Sequence, residues 1–262
     1  MEIDSIAESY SSMAIASPQE IHPIPKKIWM LWQQGWDKAP DLVKACAESW
    51  RRTNPEWEVR LLNEADLSET IRGYDQIRST LPRQARADIA RTLLLNQHGG
   101  VWADSTLYCV RPLDEWLPAV TRSGFFMFAE PRPYRSLDNW FIVGSKGNYM
   151  LAAMVEIFSA YLYRFEKPHR YFWMIYLTEH LAATDPIARE ILQDMGKLSA
   201  LGPLIVANHA FSRNPPASVL RFVEEPLVPM HKLNHRWSAS DLSGTLLGRL
   251  TGLQAIRGSQ PT

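Results

Sequence analysis

The 262-residue chain carries 28 Lys and Arg against 28 Asp and Glu, a formal net charge of zero, and 46% of its residues are hydrophobic. A neutral chain has no general electrostatic footprint for DNA or RNA, and 21% charged with 11% aromatic residues is too apolar for a disordered one. The length suits one large domain or two small ones with a sizeable core; ten Trp are enough for some to line a cleft.

Only Cys46 and Cys109 are present, too few for the disulfide framework of a secreted protein, so two reduced, partly buried thiols are expected. The N-terminal stretch holds Glu2, Asp4 and Glu8 and no early Lys or Arg, unlike a signal peptide. No segment reaches the roughly 18 uninterrupted apolar residues of a membrane span. These features predict a cytoplasmic protein.

Residues 1 to about 23 read as a loosely held leader. Lys26 to Trp32 is an apolar run behind prolines, a buried strand. A turn at Gln33–Trp36 precedes a helix from Pro40 to Arg52, with Leu42, Val43, Ala45, Cys46 and Trp50 apolar and Asn54-Pro55 as its stop. Trp57 to Leu62 is a second strand, and Ala65 to about Arg72 is helical. Strand, helix, strand, helix predicts an α/β fold with parallel strands, which places ligands beyond the carboxyl ends of those strands.

Arg86 to Gln97 is predicted helical from its Ala, Leu, Arg and Gln content. Asp88 and Arg91 lie three apart on it, neighbours on the helix surface. His98-Gly99-Gly100 ends the helix, Val101-Trp102-Ala103 is a short strand, and Asp104 stands at its exit with Ser105 and Thr106 behind. A carboxylate there can hold a divalent cation whose shell phosphate oxygens complete, and Asp88 with Arg91 can address a ribose or base. Taken singly, Asp88 and Arg91 read as a surface helix pair, Asp104 as a turn residue and the two glycines as a helix stop; their joint order points to a nucleotide diphosphate.

Further on, Gly124–Ala129 and Asn139–Val143 suit strands. Leu151–Phe165, Tyr171–Ala182 and Ile187–Met195 suit helices. From about Ser238 the tail is ambiguous, although Leu242, Leu246, Leu247 and Leu250 would line one face of a terminal helix. The aromatic helices read either as a core layer or as a wall against an acceptor, with Lys167–Arg170 and nearby aromatics as a peripheral membrane contact.

Three segments resemble the capsular polysaccharide synthesis proteins, a branch allied to glycosyltransferase family 32 and its toxin relatives. They are IPKKIWMLWQQGWDKAP (residues 24–40) with Ser49-Trp50 and NPEWEV (54–59); RADIARTLLLNQHGGVWADSTLY (86–108) with RPLD (111–114); and NWFIVGSKGN (139–148) with Leu201-Gly202-Pro203. The resemblance implies a GT-A type, Rossmann-like fold with a mostly parallel sheet over residues 24–238 as a single domain, and 239–262 as a tail or helix. It implies transfer of a sugar from a nucleotide-diphosphate donor, a UDP-sugar by preference, to a glycan or lipid-linked acceptor of surface polysaccharide, with retention of configuration and a divalent cation, Mn2+ or Mg2+. Carried across by position, Asp88, Arg91, Gly100, Ser105 and Thr106 would bind the donor. Asp104 would be the first acid of a D-x-D motif, contacting metal and diphosphate, and Trp32 would stack on the base unless it packs in the core.

The second acid of the motif is Thr106 here, which weakens the expectation of a metal. His231 and His235, in MHKLNHRW, match loosely the place of a C-terminal metal ligand; the other reading is two surface histidines. For a carboxylate beneath the sugar ring the candidates are Glu130, Asp114 and Asp138, with Asp138-Asn139-Trp140 as a sugar-facing loop or a plain surface turn. Two other functions fit a similar sheet: a nucleotidyl- or phosphotransferase, and a non-catalytic sugar-nucleotide-binding scaffold.

Overall fold

A computed structural model of the chain describes residues 23–77, 79–225 and 227–257; the predicted leader, except for its last residue, lies outside them. The fold is mixed α/β, with a mostly parallel sheet and flanking helices. In chain order the principal elements are β1 (Lys27–Leu31), α1 (Asp41–Thr53), β2 (Glu58–Leu62), α2 (Glu64–Thr70), α3 (Arg83–His98), β3 (Gly100–Ala103), β4 (Leu107–Cys109), β5 (Phe125–Arg132), β6 (Arg135–Gly144), α4 (Tyr149–Arg164), α5 (Trp173–Thr184), α6 (Pro186–Asp194), α7 (Ala217–Glu224), β7 (Met230–Lys232) and α8 (Leu246–Thr251). Among the described residues no helix is long and apolar enough to cross a membrane. The chain divides into two compact units, one built mainly from Ala65–Trp102 and Pro118–Leu198, the other from Ile28–Glu64, Ala103–Leu117 and the residues after Leu198.

In the first unit β3, β6 and β5 lie side by side. β5 and β6 form an antiparallel hairpin from Phe125 opposite Gly144 to Arg132 opposite Arg135, with register shifts after Met127 and Ala129. The two strands meet through apolar stretches, Phe125–Ala129 in β5 and Trp140–Val143 in β6, that suit a sheet covered on both faces: Phe125, Phe126, Met127, Phe128, Phe141 and Ile142 are all buried. Helices α3 and α5 pack on β6, and α6 on β5. The aromatic helices α4 and α5 bury Met154, Phe158, Tyr161, Trp173 and Leu177, which is the core-layer reading. Two helix starts are fixed by side chains. Asn148 accepts from Met150 N–H at 3.0 Å, and Asp185 accepts from Ile187 and Ala188 N–H at 2.8 and 3.0 Å, each satisfying backbone donors that the helix leaves open.

Gly99 closes α3 at φ 68°, ψ −171°, a conformation almost confined to glycine. A Cβ there would also stand 2.7 Å from the Lys146 backbone nitrogen. The predicted helix stop is thus a requirement for glycine, although not the left-handed helical cap that the sequence suggests.

In the second unit β1 and β2 are neighbours joined through α1. The bonds that continue the pair, Trp32 N–H to Leu62 O and Glu64 N–H to Gln33 O, advance together along both segments, as in a parallel pair. α1 buries Leu42, Val43, Cys46 and Trp50, and Pro40 caps it from outside the first turn. β4 and β7 make a two-stranded antiparallel sheet with Leu107 opposite Lys232, Tyr108 opposite His231 and Cys109 opposite Met230. The terminal leucines do form a buried face: Leu242, Leu246, Leu247 and Leu250 join Leu42, Cys46, Tyr108 and Leu233 in one core. Both cysteines are free and buried, and burial pushes each thiol up to about 12, so they are inert packing groups.

His231 lies wholly inside this unit, not at the surface. Burial pushes its imidazole down to about 4, against a small opposing pull from the Phe222 backbone. Between its ordinary value near 6.5 and 4, the unfolded chain holds a proton that the folded chain does not. Stability therefore falls as pH falls through that window, by about 3 kcal/mol in all. In urea titrations, the stability difference between wild type and His231→Leu shrinks by about that amount from pH 7 to pH 4; parallel pH profiles would refute the buried neutral imidazole.

Candidate functional site

The first unit holds a buried polar network. The face of α3 that carries Thr92 and Leu95 inward carries Asp88 with it, and Asp88 is 1% exposed. The predicted i, i+3 pair forms, with Arg91 Nη2 3.3 Å from Asp88 Oδ1, but it points inward and is not a surface pair. Asp88 Oδ1 also accepts from Asn139 Nδ2 at 3.1 Å, and Oδ2 from Trp173 Nε1 at 3.0 Å. Arg91 donates to the Asn139 carbonyl and lies over the Trp102 ring, 5.0 Å from its centroid. Two donors besides Arg91 thus hold one carboxylate in an interior where an unpaired charge would be costly.

Asp138 and Asn139 lie within β6, so the predicted sugar-facing loop is a strand. Asp138 Oδ2 accepts from Arg135 Nη2 at 3.2 Å and Oδ1 from the Asn139 N–H at 3.0 Å. Arg135 covers the Phe172 ring at 3.9 Å, a cation–π contact that suits a guanidinium whose buried Nε and Nη1 have no hydrogen-bond acceptor among the described residues. Of the other acids considered, Asp114 accepts from Trp57 Nε1 at 3.1 Å, and Glu130 sits at φ 55° in the β5 bulge. Gly100 opens β3 at φ 102°.

The second unit holds a different cluster. Asp104, Ser105 and Thr106 form a tight turn, closed by Leu107 N–H to the Asp104 carbonyl at 2.9 Å. Lys232, opposite Leu107 in β7, reaches back over this turn. Its Nζ lies 3.1 Å from Asp104 Oδ2 and 2.5 Å from Thr106 Oγ1. Successive side chains of a strand point to opposite faces, so Lys232 faces Asp104 and His231 is turned away. His235 meets the Trp32 ring edge-on, with centroids 5.6 Å apart, and burial, Arg236 and Lys232 push its imidazole down while Asp104 pulls it up. The Trp32 Nε1–H is enclosed and has no hydrogen-bond acceptor among the described residues. A carboxylate, a hydroxyl and an ammonium therefore gather at the Asp104–Thr106 turn.

These residues do not fit the expected divalent cation. Asp104 and Thr106 already share an ammonium. A dication on the same two oxygens would be repelled by that ammonium. His231, the expected nitrogen ligand, is turned to the other face of β7. Sequence reasoning passed over Lys232 between the two histidines it singled out. The signal was the alternation of Met230, His231 and Lys232, legible only once that segment is known to be a strand. Asn139 and Trp173, the partners of Asp88, had no sequence signal.

Asp88→Ala leaves Arg91 uncompensated inside the first unit. It should lower stability by about 3–5 kcal/mol, and adding Arg91→Met should restore much of that, because removing both members of a buried pair costs less than removing one. Chemical denaturation of the single and double variants checks this; a loss below about 1 kcal/mol would mean the carboxylate is open to water.

The capsular polysaccharide synthesis protein family model matches residues 2–250. The chain is 27% identical to the O-glycosyltransferase braB of Annulohypoxylon truncatum over 53% of its own length and 39% of that protein. It is 26% identical to the initiation-specific alpha-1,6-mannosyltransferase of Candida albicans over 52% and 43%, so it spans about two fifths of these curated relatives. Among solved structures it is similar to the PaToxG glycosyltransferase, at 15% identity, 72% of this chain, 83% of that one and a TM-score of 0.41. It is also similar to the apo-form glycosyltransferase GlyE of Streptococcus pneumoniae TIGR4, at 12%, 82%, 56% and 0.45. With the match running through nearly its whole length, the chain belongs to the capsular polysaccharide synthesis protein family.

Proposed function

We propose that this chain is a GT-A type glycosyltransferase. It moves a sugar from a nucleotide-diphosphate donor, preferably a UDP-sugar, to a glycan or lipid-linked acceptor of surface polysaccharide, with retention at the anomeric carbon. The observation that carries the reading is the Asp104–Thr106–Lys232 cluster in the turn after β3, an anion-handling group at the end of a strand where α/β sheets place ligands. The family description and the glycosyltransferase names of the relatives support sugar transfer as the chemistry.

In that reaction the bond between the anomeric carbon and the β-phosphate oxygen breaks, and both electrons leave with the nucleoside diphosphate. The acceptor hydroxyl oxygen forms the new bond, and its proton passes to the departing phosphate. The transition state combines an oxocarbenium-like sugar with negative charge growing on the diphosphate, so preorganised positive charge and donors at that phosphate lower the barrier most. In this reading Trp32 offers its ring to the base, and base stacking contributes roughly 1–3 kcal/mol. Asp88 and Arg91 serve donor binding as the buried frame of their unit, and Asp138, held by Arg135, belongs to that frame and is not the carboxylate beneath the sugar.

The test measures nucleotide release from a panel of UDP-, GDP-, CDP- and TDP-sugars with wild type and Asp104→Asn. Wild type is expected to release the nucleoside diphosphate from at least one donor. Asp104→Asn should slow that release by about 100-fold or more with an unchanged circular dichroism spectrum. Release of a nucleoside monophosphate would favour a nucleotidyl- or phosphotransferase, binding without turnover a scaffold, and indifference to the whole panel would overturn the reading.

A further inference from the structure

The motif that would hold a metal in a D-x-D enzyme holds an ammonium here. We propose that Lys232, clamped by Asp104 and Thr106, takes the place of the divalent cation and receives the donor's diphosphate directly, so that this chain binds nucleoside diphosphates without metal. The proposal rests on the transferase reading above and adds to it the residue that neutralises the leaving group.

Four observations converge on it. First, the Nζ sits 3.1 Å from Asp104 Oδ2 and 2.5 Å from Thr106 Oγ1, bridging the two side chains between which a D-x-D enzyme would hold its ion. Second, the substitution of Thr106 for an acid matches the change of ion. One carboxylate balances one ammonium, whereas a second acid would leave the cluster net negative and repel phosphate. A hydroxyl instead accepts one N–H of the ammonium and adds no charge. Third, an ammonium has three donors. Two are taken by Asp104 and Thr106, and the third has no acceptor among the described residues. Fourth, the placement is built into the fold. Lys232 is the last residue of β7, fixed opposite Leu107, and the bond from Leu233 N–H to the Thr106 carbonyl at 2.9 Å ties the two segments together just past it. Its side chain is 22% exposed, shielded enough to act at close range and open enough to meet a ligand.

The chemistry then follows without an added ion. As the anomeric carbon–oxygen bond breaks, the electron pair settles on the β-phosphate oxygen, and the Lys232 ammonium donates a charge-assisted hydrogen bond to that phosphate. In this step Lys232 acts as an electrostatic group and not as an acid, since the acceptor's proton passes to the departing phosphate. Asp104 then orients the ammonium and offsets its charge in the ligand-free state.

The test is isothermal titration of the full chain with UDP, GDP, CDP and TDP, first in EDTA and then in manganese. At least one diphosphate should bind in EDTA, with a Kd that manganese changes by less than about threefold. Lys232→Met should weaken that binding about tenfold or more, the loss expected for a hydrogen bond to a charged group, and Lys232→Arg should recover most of it. Binding that appears only with manganese would overturn the ammonium proposal and leave the transferase reading standing. So would wild-type affinity in Lys232→Met. Failure of every diphosphate in both buffers would remove the transferase reading and this proposal together. Should Lys232→Met fold poorly, as its melting temperature would reveal, the EDTA and manganese comparison on wild type still decides.

Discussion

A carboxylate taken out of water must find its compensation inside the protein, and Asp88 sets that constraint for the first unit. At 1% exposure it loses hydration worth several kcal/mol, and it recovers this from Arg91, Asn139 Nδ2 and Trp173 Nε1. The three donors come from α3, β6 and α5, so a single charge fixes the helix on which it stands, the strand beside it and a helix far along the chain. Arg91 returns the bond to β6 through the Asn139 carbonyl. Apolar packing among Phe126, Phe128 and Phe141 supplies area but little direction. The ion and its donors select the one rotation of α3 that satisfies them.

Lys232 and Asp104 form a pair of another kind. Their side chains are 22% and 26% exposed, so water still reaches them and the desolvation cost is small. A pair of this sort adds little to stability and is accessible to a ligand. The same two charge types thus stand in different settings: Asp88 with Arg91 is sealed into its unit, and Asp104 with Lys232 is open to water. The sealed His231 beside Lys232 in β7 makes the same contrast one residue away, because strand alternation sends one side chain to the core and its neighbour to the cluster.

What the sequence discloses follows from how far each signal reaches. Local periodicity marked β1, α1, β2 and α3, because their apolar spacing is complete within each segment. It also marked Asp104 as the residue at a strand exit, and the spacing of Asp88 and Arg91 as that of a pair. It did not say whether the pair faces water or the interior, since the i, i+3 rule fixes proximity and not orientation. Three-residue strands such as β4 and β7 carry too little pattern to be seen, and their existence depends on partners more than 100 positions away. Lys232 fell with them. The loop expected at Asp138–Trp140 was a strand because a polar pair can sit in a β-run when Arg135 and Asp88 meet its side chains, a compensation no local window contains.

The replacement of the motif's second acid by Thr106 and the presence of Lys232 are best understood as one change. Alone, the threonine reads as a damaged metal site. Alone, the lysine reads as an ordinary charge near a turn. Placed 2.5 Å apart with Asp104 beside them, they would, in the proposed reading, conserve what a leaving diphosphate needs, a positive charge held at fixed distance by oxygen atoms, while changing its carrier from an ion that must be recruited to one attached to the backbone. A tethered charge is already organised before the donor arrives, which is the condition under which electrostatic stabilisation needs least rearrangement. A monovalent ammonium also carries half the charge of the dication, so in the proposed reading the remaining neutralisation must come from hydrogen-bond donors.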